Sequence, residues 1–267
     1  MGELTFIGLG LNKESDISLR GLEKAKDADV VFAELYTSLM PEFNLQRLED
    51  FMEKRVRIVS RRNLEEEEGK EILGEANKGR VALLVPGDPL IATTHVDLRI
   101  RAEKQGIKTS VVHGASIVSA VIGLSGLQNY KFGRSVTVPF ADPGIVSETP
   151  YKVIAENKKT GLHTLCFLDI RAEEKRYMTV KVALETLFAI EKRKRQGVVA
   201  ADTLAVGVAR AGSENPTVKA DFASELLKFN FRSPPHSLVF PGKLHFMEAE
   251  ALVVLAKAPD RVKEMIN

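Results

Sequence analysis

Residues 80–95 read RVALLVPGDPLIATTH: an apolar run, then Pro-Gly-Asp-Pro, then Thr-Thr-His. Hydrophobic side chains at successive positions suit a strand buried on both faces. Pro86 and Pro89 push the residues before them, Val85 and Asp88, toward extended backbone, while Gly87 permits a direction closed to other residues. A stiff loop therefore follows the strand, with Asp88 set between apolar neighbours. Ligands of open parallel sheets collect just beyond the carboxyl ends of the strands. A carboxylate there calls for a cation or for hydroxyl and N–H donors. The alternative is that Asp88 caps a helix beginning near Thr93, a role that suits Thr93 or Thr94 better.

Outward from this stretch, apolar runs alternate with amphipathic segments. LTFIGLGL, VVFAELY, VRIVS and TSVVHG read as strands. SLRGLEKAKDA, NLQRLEDFM, a Glu-rich segment from Leu64 to Lys78, THVDLRIRAEKQG and ASIVSAVIGLSG read as helices. That pattern predicts an α/β fold whose N-terminal half is mainly a parallel sheet. From Arg134 strands become denser: SVTVPF, HTLCFLDI, DTLAVGVARAG, PTVKADF and HSLVFPGKL, with helices over 179–196 and HFMEAEALVVLAK. A mixed sheet is expected there. We place a domain boundary near Gly133, giving an N-terminal α/β domain (1–133) and a C-terminal α/β domain (134–267), with an exposed loop over 141–150. The EEEE run at 65–68 reads as a solvated helix face.

A chain of 267 residues can bury a large core without covalent staples. Its single cysteine, Cys166, forms no intramolecular disulfide, and a reducing cytoplasm is the simplest home. With 38 basic and 36 acidic residues, no overall field recruits nucleic acid or an anionic membrane. No 18-residue apolar stretch or secretory leader pattern is visible, so a soluble, unexported protein is expected. The five histidines share no metal-ligand spacing, and neither a Gly-x-Ser-x-Gly elbow nor a Walker loop occurs.

Other stretches could carry chemistry. IGLGL (7–11) has the Gly-x-Gly of dinucleotide-binding turns but lacks the third glycine, since Leu11-Asn12-Lys13 follows. It is either a tight turn or a place where a ligand approaches backbone. Glu34 stands where a ribose-binding acid would, or simply closes its strand against Tyr36 and Thr37. GASIVSA (114–120) offers N–H groups and Ser116 at a helix start, for a ligand or as a plain N-cap. FLDIR (167–171), ARAGSENPTV (209–218) and PPHSLVFPGKLH (234–245) supply strand ends and turns in the second half.

Taken in order, IGLGL, VVFAELYTS, PGDPLIATTH, KFGRSVTV, GLHTLCFLDIRAEEKRYMT, ARAGSENPTV and PPHSLVFPGKLH resemble the archaeal diphthine synthases over essentially the whole chain. The wider relatives are the tetrapyrrole methylases, whose first loop usually reads Gly-Pro-Gly-Asp where this chain has Gly-Leu-Asn-Lys; that departure weighs against a tetrapyrrole substrate. The resemblance implies two α/β domains of tetrapyrrole methylase-like fold, S-adenosylmethionine in a cleft between them, S-adenosylhomocysteine as product, and a homodimer. It carries cofactor contacts onto Leu11, Asp88, Ile91, Ser116, Ile117, Leu168, Ala211 (with Ala209 as the neighbouring alternative) and His236. It implies a cytoplasmic N-methyltransferase acting on a modified histidine of translation elongation factor 2, repeatedly and to a trimethylammonium, in diphthamide biosynthesis. The other readings are a precorrin-type methyltransferase and a non-catalytic module that binds the factor. An α-amino group has a pKa near ~7.7–8.0, so a strong general base is unnecessary. His95, His113 and Tyr36 are the titratable candidates for accepting a proton, and none is assigned.

Overall fold

Side-chain alternation decides how the first sheet is covered. In β1 (Glu3–Gly8), Leu4 and Phe6 enter one apolar cluster and Ile7 enters another; in β4 (Arg80–Val85), Val81, Leu83 and Val85 face the first while Ala82 and Leu84 face the second. Both faces are therefore buried, as a continuous apolar run requires. In this computed structural model, which describes residues 2–141 and 146–266, these strands lie in a five-stranded parallel sheet. Its order is β3-β2-β4-β1-β5, with β2 at Val30–Glu34, β3 at Val56–Val59 and β5 at Lys108–Val112. Helices α1 (Leu19–Asp27) and α2 (Leu45–Met52) bring Ala25, Leu48 and Met52 to one face. The other face receives Leu64 from α3 (Arg61–Glu65), Ile72 and Leu73 from α4 (Lys70–Ala76), and Leu98 and Ala102 from α5 (His95–Lys104).

The second sheet is mixed. β6 (Val136–Val138) runs parallel to β7 (Thr164–Leu168), while β8 (Leu204–Ala209), β9 (Thr217–Phe222) and β10 (His236–Phe240) pair antiparallel, in the order β9-β8-β10-β7-β6. Tyr151 and Ile154 of α7 (Thr149–Lys159) and Val180, Leu184, Leu187 and Ile190 of α8 (Val180–Lys194) pack in one cluster with Val138, Cys166, Ala205 and Leu238 from its strands.

The chain divides into two compact units, Met1–Ile117 with Arg171–Lys175, and Val118–Ile170 with Arg176–Asn267. Gly133 lies just before β6, where the strands of the second sheet begin; compactness groups residues 118–133 with that sheet, including nearly all of α6 (Ile117–Ser125).

Two expectations change. The Glu-rich segment is not one helix over 64–78: α3 stops at Glu65, Glu68 and Gly69 take left-handed backbone (φ 58° and 65°), and α4 begins at Lys70. Four adjacent carboxylates repel one another in a helical turn, and a following glycine offers the chain a cheap way out. Of the 141–150 loop, residues 142–145 lie outside the described residues, and its last two residues open α7, a helix the pattern had not suggested.

Candidate functional site

Strands β4, β1 and β5 are neighbours, and Gly8 pairs with Val85 while Ile7 pairs with Val112, so their carboxyl ends reach one edge together. The loops that follow touch through bare backbone. A Cβ on Gly8 would lie 2.5 Å from the Gly87 carbonyl oxygen and from the Gly114 nitrogen, and one on Gly114 would lie 2.3 Å from that same oxygen. No side chain fits there. Gly10 and Gly87 then exchange N–H···O bonds of 3.3 and 2.6 Å. Leu11 follows β1, Asp88 and Ile91 follow β4, and Ser116 and Ile117 follow β5. The structure thus places four of these sequence-derived candidates on adjoining loops of the first unit, with the fifth, Ile117, opening α6.

Asp88 is the fixed carboxylate among them. The residue is 6% exposed; Oδ1 accepts the Leu90 N–H at 3.0 Å, and Oδ2 lies 2.7 Å from Nδ1 of His113, whose ring faces solvent. Asp88 does not cap α5. Thr94 holds the N-cap position, and the Thr93 hydroxyl donates to the Pro89 carbonyl at 2.8 Å. Ile91, half-exposed, presents an apolar side chain three residues on, its N–H donating to the Asp88 backbone carbonyl at 3.4 Å.

Glu34, at the end of β2, is wholly buried and spent on its own loop. Oε2 accepts the N–H groups of Tyr36 and Thr37, both at 3.1 Å, and Oε1 accepts the Thr37 hydroxyl at 2.5 Å. Burial pushes its carboxyl up to about 7 against those hydrogen bonds. His95, also buried and held below the ordinary imidazole range by burial, lies 3.2 Å from the Pro89 carbonyl through Nδ1 and 3.8 Å from Glu34 Oε1 through Nε2.

In the second unit the register aligns a second group. Ala209 at the end of β8 pairs with His236 at the start of β10, and Phe167 pairs with Ser237, so Leu168 at the end of β7 comes to the same edge. Arg210, in left-handed backbone (φ 51°), donates its N–H to Pro235 O at 2.8 Å, which fixes the turn carrying Ala211 against the segment entering β10. His236 Nδ1 accepts the Val180 N–H at 3.3 Å, so the ring proton sits on Nε2, and burial keeps the imidazole neutral. That buried Nε2–H has no hydrogen-bond partner among the described residues. The backbone carbonyls of Ser233 and Arg232 face the ring without completing a hydrogen bond, so the donor stays available to an acceptor from outside the chain.

Asn12 is a candidate that sequence reasoning missed. Its side-chain oxygen is buried beside Leu11 with no partner among the described residues, while its backbone N–H donates to Asp16 at 2.8 Å. The only local signal was its place in the first turn. A cavity of about 740 Å³ also exists at the opposite edge of the second sheet, lined by Thr164, Leu204 and Phe240, away from Leu168 and His236.

The sequence profile of the family described as Tetrapyrrole (Corrin/Porphyrin) Methylases matches residues 3–227. A diphthine synthase of Methanosarcina acetivorans is 52% identical over 266 residues, 98% of each chain. The crystal structure of a diphthine synthase superposes with a TM-score of 0.89 at 42% identity, covering 99% of this chain and 100% of that one. The crystal structure of a putative diphthine synthase from Entamoeba histolytica gives 0.87 at 38%, covering 96% and 98%. The chain belongs to the diphthine synthase family of the tetrapyrrole methylases.

As a member of the diphthine synthase family it is an S-adenosylmethionine-dependent methyltransferase. The chemistry of that donor fits what the loops offer. Its amino and hydroxyl groups need acceptors, and Asp88 in the first unit is a held acceptor. The glycine-lined junction of Gly8, Gly87 and Gly114 leaves backbone open to close approach.

Proposed function

We propose that this protein methylates the amino group of the 3-amino-3-carboxypropyl-modified histidine of translation elongation factor 2, forming diphthine in diphthamide biosynthesis. Whole-chain likeness to diphthine synthases carries this reading of the substrate. The cofactor contacts are Leu11, Asp88, Ile91, Ser116 and Ile117 in the first unit and Leu168, Ala211 and His236 in the second. Bound S-adenosylmethionine supplies an electrophilic methyl group on a sulfonium. The chain's own part is to hold and orient: Asp88 accepts hydrogen bonds from the donor's polar groups or offsets its positive charge, and His236 donates from Nε2. Leu11, Ile91, Ile117 and Leu168 contribute apolar contact that keeps water away.

With an ordinary pKa of ~7.7–8.0, a substantial fraction of a substrate α-amino group is already neutral at physiological pH, so alignment of nitrogen, methyl and sulfur is the main catalytic device. After each of the first two transfers the product ammonium loses a proton to water before the same site accepts the amine again, and the third transfer leaves the trimethylammonium. The protein works in the cytoplasm and as a homodimer; among the described residues no helix is long and apolar enough to cross a membrane. Exposed Phe246, Met247 and Val254 on the helix at Phe246–Val254, here α9, with Leu255 at its C-cap, fit a subunit contact.

The decisive test is methyl transfer from labelled S-adenosylmethionine, offered elongation factor 2 carrying the precursor side chain in one reaction and a precorrin in another. Label on the factor's modified histidine, by mass spectrometry, is the expected outcome. Label in the precorrin alone would place the protein with the corrin methylases, and co-purification without any transfer would make it a binding module.

A further inference from the structure

We propose that Glu34 and His95 form a proton-holding pair that positions the Asp88 loop: a proton on Glu34 Oε1, aimed at His95 Nε2, keeps the imidazole clamped to the Pro89 carbonyl. The proposal rests on the reading of that loop as part of the cofactor site.

The hydrogen bonds fix where the proton sits. A carbonyl oxygen only accepts, so His95 must carry its hydrogen on Nδ1 to bond Pro89, and its Nε2 is left as a bare acceptor. That nitrogen is buried and has no partner among the described residues. Glu34 faces it with Oε1 at 3.8 Å, beyond hydrogen-bond length. Oε2 accepts the N–H groups of Tyr36 and Thr37, which makes it the carbonyl-type oxygen; Oε1 accepts the Thr37 hydroxyl and, as the protonated oxygen, keeps an O–H of its own to donate. With the proton present, an O–H is directed at the orphaned acceptor. With the proton gone, a carboxylate and a lone pair confront each other without water, and the ring must turn or shift.

Pro89 is the residue after Asp88, and its carbonyl is held only by His95 and the Thr93 hydroxyl among the described side chains. Movement of the ring therefore reaches the carboxylate directly. The other groups facing the pair come from three segments. Tyr36, beyond β2, has a buried hydroxyl without a described partner, and burial raises it. Arg61 of α3 lies 5.1 Å from the Tyr36 ring centroid and favours the ionised form of Glu34. Glu65 at the end of α3 faces Tyr36 and accepts from the Thr94 hydroxyl at 3.5 Å. Burial outweighs Arg61, and Glu34 titrates at about 7.

The experiment has two arms on the full chain. In the first, calorimetry follows S-adenosylhomocysteine binding from about pH 6 to about pH 8.5, comparing wild type with Glu34→Gln. If only the protonated pair is competent, wild-type affinity falls toward about tenfold per pH unit above the carboxyl's pKa. Glu34→Gln, whose amide donates to Nε2 at every pH, binds as wild type does at low pH and lacks that fall. The same pH dependence in both proteins overturns the coupling. In the second, infrared difference spectroscopy without cofactor looks for a protonated-carboxyl band that fades as pH rises through about 7 and is missing in Glu34→Gln. Absence of that band from wild type overturns the proton pair. Failure of both proteins to bind at any pH would instead contradict the cofactor site, while the infrared arm still judges the pair.

Discussion

Asp88 Oδ2 lies 2.7 Å from Nδ1 of His113, a buried carboxylate reaching a ring that is 73% exposed. The carboxylate is held from two loops, by the Leu90 N–H behind PGDP and by the first residue after β5. Held in place, it spends little entropy on gripping a ligand. Asp88→Ala is expected to weaken S-adenosylhomocysteine binding by roughly 10–100-fold, the loss of one or two charge-assisted hydrogen bonds. His113→Ala, which leaves the Leu90 bond intact, should cost less than about tenfold. Isothermal calorimetry checks both, and equal losses would show that His113 does more than hold Asp88.

Gly8→Ala and Gly114→Ala each push a methyl group to within 2.5 Å or less of the Gly87 carbonyl oxygen. Backbone on three loops must give way, so a loss of roughly 1–3 kcal/mol in stability is expected together with loss of binding. Gly74→Ala, inside α4 where an added Cβ meets nothing within 4 Å, is the control: binding should be unchanged and stability should rise by up to ~1 kcal/mol, since alanine favours helix over glycine. Urea midpoints with parallel calorimetry separate the cases.

His236→Asn keeps an acceptor where Nδ1 receives the Val180 N–H but removes Nε2. If Nε2 serves the ligand, binding should fall about 5–30-fold, one hydrogen bond's worth, with little change in melting temperature. A large drop in melting temperature with unchanged affinity would make His236 a packing residue instead.

The second unit has an acid-sensitive anchor in Glu248 on α9. Burial raises this carboxyl, but Lys131, the N–H groups of Gln128 and His245, and His163 Nε2 outweigh that and bring it down to about 2. An unfolded glutamate titrates near 4.5, so the stabilisation is complete above that pH and is lost as pH falls toward about 2. Glu248→Gln removes the charge facing Lys131, which keeps its bond to the Lys243 carbonyl, and should cost ~1–3 kcal/mol near neutral pH. The gap between variant and wild type should close in acid, as read from urea midpoints over a pH series.

Much of the architecture was legible because its signals are local. The β4 run with PGDP announced a strand buried on both faces and a stiff loop beyond it, and the strand-dense second half announced a mixed sheet. Helix α7 was hidden because its apolar positions, Tyr151, Val153 and Ile154, are few and follow a turn-rich stretch. The break at Gly69 was hidden because a run of glutamates has high helix propensity residue by residue and only repulsion and one glycine oppose it. At the site, Asp88 stood out through its prolines, whereas its partner His113 sits 25 residues away. The Glu34–His95 pair and the Glu248 network join residues 61 and up to 120 positions apart, with no spacing to give them away. Those contacts exist only once the sheets have set the register.

The most direct measurement is a crystal structure of the protein with S-adenosylhomocysteine. The expected result is the ligand within hydrogen-bond distance of Asp88 and of His236 Nε2, against the glycine junction after β1, β4 and β5. Density for the ligand in the 740 Å³ cavity beside Thr164 and Phe240, with Asp88 and His236 untouched, would contradict it.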